Sequence, residues 1–205
     1  RSVLEPGCGI GGFFASAPDN THVVGVEQDA TSALIANALH PQHQIRNERF
    51  QDTQAPDGAF NLAIGNVPFA NITPVDPAYN RDDLSLHNYF FAKSIALTAP
   101  GGYVAMITSQ HTADSASQGG KVQRVLTDQA DFITGVRLPG GRHGAFATHA
   151  NTEVGTDILL FRVREPGREP SATTELFRGH HELTVEGHTK KINAFFADNP
   201  DNILG

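Results

Sequence analysis

One stretch limits the possible fold more than any other: Ser2-Val3-Leu4-Glu5, a short apolar strand pattern, breaks at Pro6 into Gly7-Cys8-Gly9-Ile10-Gly11-Gly12. Glycines at the first, third and sixth places of such a turn suit a backbone that approaches a ligand closely and adopts positive φ. Phe13 to Ala17 then reads as the first turns of a helix, closed by Pro18-Asp19-Asn20. Strand, glycine turn and helix in this order point to an α/β sheet, in which ligands sit off the carboxyl ends of the strands.

The rest of the chain keeps the alternation. His22 to Glu27 is an apolar second strand, and Asp29 is a good N-cap for a helix over Ala30–Leu39 that stops before Pro41. Gln44 to Phe50 is a weaker third strand. Phe60 to Gly65 is a fourth, more apolar one that delivers Asn66-Val67-Pro68-Phe69 at its end. The stretch 70–81 is irregular and carries Pro74 and Pro77, after which Leu84 to Leu97 has helical spacing closed by Pro100-Gly101-Gly102. Tyr103 to Thr108 reads as a fifth strand, Lys121 to Gln129 as a helix, and Phe132 to Leu138 and Asp157 to Val163 as two more strands. The pattern predicts an α/β fold, a mostly parallel seven-stranded sheet with helices on both faces, over residues 1–165. Pro166-Gly167 and Pro170 mark a polar linker, so 166–205 is read as linker and extension.

A chain of 205 residues is long enough for one sizeable α/β core. Its single cysteine, Cys8, excludes an internal disulfide and fits a reducing cytoplasm. No run approaches the roughly 18 apolar residues of a membrane span, and no signal peptide is visible. Arg1 opens almost directly on a strand pattern, which predicts a piece of a longer protein. The net charge of −7 argues against this chain gripping a phosphate backbone unaided. Two readings follow: an acidic enzyme that binds no polyanion, or a protein whose basic, DNA-clamping part lies outside this chain.

Two carboxylates sharpen the glycine turn. Glu5 stands before Gly7 and Gly9, where it repels a pyrophosphate but suits a ligand that bears an ammonium and a sulfonium. Glu27, with Gln28 beside it, ends the next strand about 20 residues on, the usual place of an acid that accepts from ribose hydroxyls. Together they favour S-adenosylmethionine over a dinucleotide.

Asn66-Val67-Pro68-Phe69 has residue types that fit methyl transfer to an amine conjugated with a ring. Such a nitrogen is a poor nucleophile because its lone pair is delocalised. The Asn66 side-chain oxygen and the Val67 carbonyl can each accept one amine hydrogen, favouring a pyramidal nitrogen with its lone pair aimed at the methyl group. Pro68 restricts Val67 to extended conformations and so fixes the direction of that carbonyl. Phe69 is placed to stack on the base. Asn is no base at neutral pH, so none is assigned.

With these residues in hand, the sequence resembles the amino-methyltransferases, and within them the N6-adenine DNA methyltransferases. Leu4 to Phe13 looks like their cofactor motif, and Asn66-Val67-Pro68-Phe69 like a catalytic tetrad more often written Asn-Pro-Pro-Tyr or Asn-Pro-Pro-Phe. The order, cofactor motif first, is that of modification subunits of restriction systems. The Val67 variant looks most like modules of large mobile-element proteins, often joined to a helicase. The resemblance covers roughly residues 2–163 and implies the Rossmann-like class I methyltransferase fold. It implies that Glu5, Gly7 and Gly9 line the methionine end of S-adenosylmethionine and Glu27 the ribose. Phe50, Gln51 and Asp52 become candidates for contact with the cofactor adenine, and Asn66 and Phe69 become catalytic. DNA is the implied partner, through regions outside this chain such as a target-recognition or helicase domain. Val67 departs from the usual pattern.

Two rival readings stand beside this one: methylation of a protein glutamine or an RNA base amine, and a cofactor-binding module without catalysis. His143, His149 and the His180-His181 pair lack the Cys or carboxylate spacing of a metal site, so no metal is expected. Cys8 is read as a small packing residue, and no Gly-x-Ser-x-Gly elbow supports a hydrolase.

Overall fold

The structure is a computed structural model that describes residues 1–141, 144–145, 155–185 and 188–204. Seven strands form the main sheet: β1 Ser2–Pro6, β2 His22–Glu27, β3 Gln44–Asn47, β4 Phe60–Asn66, β5 Thr98–Ser109, β6 Ala130–Leu138 and β7 Thr156–Val163. Their order is β3-β2-β1-β4-β5-β7-β6. The first five pair in parallel, and β7 alone runs antiparallel, between β5 and β6. Flanking and following the sheet are α1 Ala30–Leu39, α2 Leu86–Leu97, α3 His111–Asp114, α4 Lys121–Leu126, α5 Ala172–Arg178 and α6 Ala194–Asp198. A hairpin of β8 His180–Val185 and β9 His188–Asn193 joins α5 to α6.

This order has one topological switch. The chain lays β1, β2 and β3 outward in one direction, then returns to place β4 on the other side of β1. The crevice beyond the carboxyl ends of β1 and β4 is where such sheets bind ligands. Here those ends are Glu5-Pro6 and Asn66.

Local sequence accounts for most element boundaries. Val23 to Val26 are all buried, as expected for a parallel strand covered on both faces. Asp29 caps α1 by accepting from the Ser32 amide at 2.8 Å. α2 buries nine of its twelve residues, from Leu86 to Leu97. Its rings and those of the distal strands form one core: Phe91 and Phe132 each sit edge-on to Phe161, at 5.6 and 5.4 Å between centroids.

Several sequence expectations are corrected. The helix over Phe13 to Ala17 is a single 3-10 turn, Phe14–Ser16, because Pro18 follows at once and Phe14 is drawn into the core. The third strand ends at Asn47, and Phe50–Asp52 is a 3-10 turn rather than strand. α2 begins at Leu86, not Leu84, whose amide is held by the buried Asn80 side chain at 2.8 Å. α4 ends at Leu126, where the Thr127 hydroxyl donates to the Gln123 carbonyl at 2.6 Å. Pro100-Gly101-Gly102 lies within β5 as an irregularity between the Phe60–Thr98 and Leu62–Tyr103 pairs, with Gly101 at φ +80°. The stretch expected as linker and extension folds back onto the sheet. Phe177 of α5 stacks on Phe132 at 4.1 Å, and Phe195 meets the same ring edge-on at 4.9 Å.

Candidate functional site at the switch point

The glycine turn folds over the end of β2. The amides of Gly7 and Cys8 both donate to the Val26 carbonyl, at 2.8 and 3.0 Å. Gly7 and Gly9 take φ of +71° and +54°, and nothing lies within 4 Å of where a Gly9 Cβ would stand. The turn therefore presents bare backbone to solvent, as close approach by a ligand requires. Glu27 is seated against it. One carboxylate oxygen accepts from the Gly9 amide at 2.9 Å and the other from the Asp29 amide at 2.7 Å. Each oxygen keeps a further lone pair.

Between this turn and the end of β4 lies a cavity of about 180 Å³. Of the residues singled out in the sequence, Gly7, Glu27, Gln28, Phe50, Gln51, Asn66 and Pro68 line it. Val26, Glu48, Ile72, Leu86 and Phe90 also line it and were not legible beforehand. Phe90 could have been found as an aromatic on the helix that follows the tetrad, but nothing in the sequence says which face of that helix meets the turn. Phe50 and Phe90 pack with ring centroids 4.8 Å apart and planes tilted by 49°, giving one wall of the cavity an apolar surface. Asp52 does not line the cavity. It pairs with Arg49 at 2.7 Å on the surface.

Glu5 is brought to the same strand ends but not into that cavity. It lines a larger hollow of about 680 Å³ together with Val3, Phe14, Leu62, Ile64 and Tyr103. Its side chain is only 3% exposed and its Oε2 has no hydrogen-bond partner. Burial pushes its pKa up to about 8. A buried carboxylate oxygen without a partner is costly unless a donor or cation arrives. Cys8 is buried, and burial with the charges of Glu5 and Glu27 pushes its thiol up to about 12, so it stays protonated. Its sulfur lies against Gly25, where a Cβ would come within 2.8 Å, which fits a packing role.

The tetrad leaves the end of β4. Asn66 pairs with Ile107 of β5, and the Val67 amide donates to the Ile107 carbonyl at 3.1 Å. That bond anchors the tetrad backbone to the neighbouring strand. Val67 is buried, Asn66 is exposed, and Phe69 is 45% exposed. On the far side of Phe69 is a shallow hollow of about 350 Å³, lined by Asn71, Ser85, His87, Ser109 and His111. His87 faces Phe69 at 6.5 Å between rings, and burial, with the charge of His111, lowers its pKa. The tetrad thus stands between two concavities, Asn66 and Pro68 on one and Phe69 on the other.

His143 and His149 lie outside the described residues. His180 bonds the Ala113 carbonyl at 3.2 Å, and His181 lies 3.6 Å from Asp198. Among the described residues no group of three or more His, Cys, Asp or Glu is placed to hold a metal ion, and no helix is long and apolar enough to cross a membrane.

No family model matches the chain. Its sequence is similar to the type I restriction enzyme EcoEI methylase subunit of Escherichia coli, 24% identical over an alignment of 200 positions that covers 82% of this chain and 39% of that protein. The chain therefore spans about two-fifths of the length of that relative. Its fold is similar to that of the type I restriction enzyme EcoKI M protein, with a TM-score of 0.64 and 18% identity over 82% of this chain and 41% of that one. It is similar to a protein from Listeria monocytogenes assigned to the class I S-adenosylmethionine-dependent methyltransferases, with a TM-score of 0.66 and 16% identity over 83% and 56% of the two chains. The N-methyltransferase NodS of Bradyrhizobium japonicum, solved with S-adenosyl-L-homocysteine, is a more distant neighbour, with a TM-score of 0.55 and 14% identity over 80% and 79% of the two chains. By its strand order and by these neighbours, the chain has the Rossmann-like class I methyltransferase fold.

Proposed function

We propose that this chain is the catalytic domain of an S-adenosylmethionine-dependent DNA methyltransferase that modifies the N6 amine of adenine, as part of a modification subunit. The observation that carries the reading is the position of the tetrad. The tetrad joins a cavity suited to a nucleoside, lined by Asn66 and Pro68, to an open hollow suited to an acceptor, lined by Phe69. The likeness to a methylase subunit of a type I restriction enzyme supports DNA as that acceptor.

The residues fit the cofactor. Glu27 offers two carboxylate lone pairs for ribose hydroxyls and Phe50 and Phe90 offer an apolar wall for an adenine; the partnerless oxygen of Glu5 suits an ammonium, but Glu5 lines the neighbouring hollow and not this cavity. When bound, the cofactor supplies an electrophilic methyl group on a sulfonium.

The chain does the rest by holding the acceptor. Asn66 Oδ1 accepts one amine hydrogen and the Val67 carbonyl the other, which turns the nitrogen lone pair towards the cavity. The Val67 amide bond to Ile107 and the ring of Pro68 fix that carbonyl, so Val in place of the more usual Pro leaves the geometry constrained from both sides. Phe69 stacks on a base turned out of the duplex, and a base in its hollow meets the His87 and His111 side chains. Asn66 takes no proton at neutral pH, and the proton leaves after transfer.

The test has a cofactor arm and an acceptor arm. Glu27→Ala weakens S-adenosylhomocysteine binding by about 1.5–3 kcal/mol, the span for hydrogen bonds to a charged group. Asn66→Ala lowers transfer of labelled methyl groups to unmethylated DNA by about 10²–10³ and changes cofactor affinity little. Binding of NAD in place of S-adenosylmethionine sinks the cofactor assignment. Label on protein or RNA but not on DNA sinks the acceptor, and equal transfer by Asn66→Ala sinks the tetrad's role.

A further inference from the structure

Lys93 is a charged residue in an expensive place. It lies on α2 with 1% of its side chain exposed, beneath the nucleoside cavity. Burying an ammonium is unfavourable unless every N–H finds an acceptor and the charge finds a partner. Lys93 meets both conditions. Its Nζ donates to the Phe50 carbonyl at 2.8 Å, the Gln51 carbonyl at 3.3 Å and Asp76 Oδ2 at 3.1 Å. An ammonium has three hydrogens, and here each has one acceptor. The rings of Phe50 and Tyr79 lie about it at 5.1 and 5.0 Å, in cation–π range.

The identity of those acceptors gives the arrangement its meaning. Phe50 and Gln51 line the cavity, and they belong to a 3-10 turn after a strand of only four residues. Leu86 and Phe90 of α2, four residues apart, line it too, and Lys93 follows Phe90 by three residues, steps that keep one helix face. Asp76 sits on the irregular stretch that leaves the tetrad. It also accepts from the Tyr89 hydroxyl at 2.7 Å and from the Ala78 and Tyr79 amides at 3.2 and 3.3 Å. One ammonium therefore holds the cavity wall and the loop behind the tetrad together.

We propose that Lys93 is a positioning residue for the adenosine half of the cofactor, clasping the Phe50–Gln51 wall to the post-tetrad loop through Asp76. The proposal rests on the cofactor reading above. Lys93 touches neither cofactor nor acceptor, and its effect is confined to the end of the ligand that the Phe50–Gln51 wall faces. The methionine end is assigned by that reading to the glycine turn and to Glu5 in the neighbouring hollow, and Lys93 makes no hydrogen bond to either.

The experiment compares two ligands on the same protein: S-adenosylhomocysteine, and 5′-methylthioadenosine, which keeps the adenosine and lacks the amino acid. Lys93→Met weakens both by the same factor, about ten- to a hundredfold, the range spanned by loss of hydrogen bonds to a charged group. Circular dichroism at the binding temperature confirms that the variant is folded. Because Lys93→Met strands the Asp76 carboxylate, the double variant Lys93→Met/Asp76→Asn is measured as well, and it too loses affinity for both ligands. A folded single or double variant that binds both like wild type overturns the proposal, as does a loss confined to S-adenosylhomocysteine. Wild type that binds neither ligand overturns the cofactor reading itself.

Discussion

Glu5 and Glu27 end adjacent strands and meet opposite fates. Glu27 is satisfied by two backbone amides, whereas Glu5 is buried with one oxygen unpaired and its pKa raised from 4.5 to about 8. The linkage follows from that direction. Between about pH 4.5 and 8 the folded chain keeps a proton on Glu5 that the unfolded chain releases, so this residue makes stability fall as pH rises through that window and adds no further pH dependence outside it. Histidines held below their usual value, His43, His87 and His180, act in the opposite sense near pH 6.5, so the comparison must be between variants. Glu5→Gln keeps the shape without the ionisation. Denaturant unfolding of the ligand-free chain at pH 5 and pH 8 shows a smaller loss of stability for Glu5→Gln than for wild type. Identical losses would mean that Glu5 ionises freely in the fold.

At the scale of elements, the largest gain from the structure is the end of the chain. α5 is capped by Ser171, whose hydroxyl oxygen accepts from the Thr174 amide at 3.2 Å, and both are tied to Asp131 of β6. It delivers Phe177, fully buried, onto Phe132 and Phe161. Phe177→Ala destabilises the fold by about 3–5 kcal/mol, because the surrounding β6 and β7 rings cannot close the gap. Chemical denaturation measures it. A loss below about 1 kcal/mol would show that the α5 contact is dispensable to the sheet. None of this was legible from periodicity. α5 has seven residues and α6 five, shorter than the window over which an apolar stripe declares itself. The same limit hid the fate of Phe13 to Ala17 and of Phe50–Asp52, where the choice between helix, strand and 3-10 turn is made by what Phe14 and Phe50 pack against.

For the molecule as a whole, the net charge of −7 bears on whether this chain can grip a nucleic-acid duplex unaided. Non-specific affinity comes mainly from released counterions, so this chain alone binds a labelled duplex more weakly than the ~10⁻⁴–10⁻⁶ M common at physiological salt. Anisotropy titrations check this, and micromolar binding would reveal a basic surface that the summed charge conceals. The sequence determined, by itself, the things that depend on neighbours along the chain. Apolar runs cut by Pro and Gly defined β1, β2, β4 and α1, Asp29 set a helix start, and glycines at 7 and 9 marked positive φ. From these came the sheet class and the association of the glycine turn, Glu27 and Asn66 with the strand ends. Only the tertiary structure decided what depends on distant contacts. It reversed β7, because strand direction is set by pairing with β5 and β6 and leaves no trace in an apolar run. It separated Glu5 from the cavity that Glu27 lines, although the β1–β2 register puts both on one face of the sheet, because the Glu27 carboxylate is drawn to the Gly9 and Asp29 amides at the strand end while Glu5 stays buried along the strand. It brought Lys93 beneath Phe50 across 43 residues of chain, since a buried cation is tolerable only where folding gathers its acceptors.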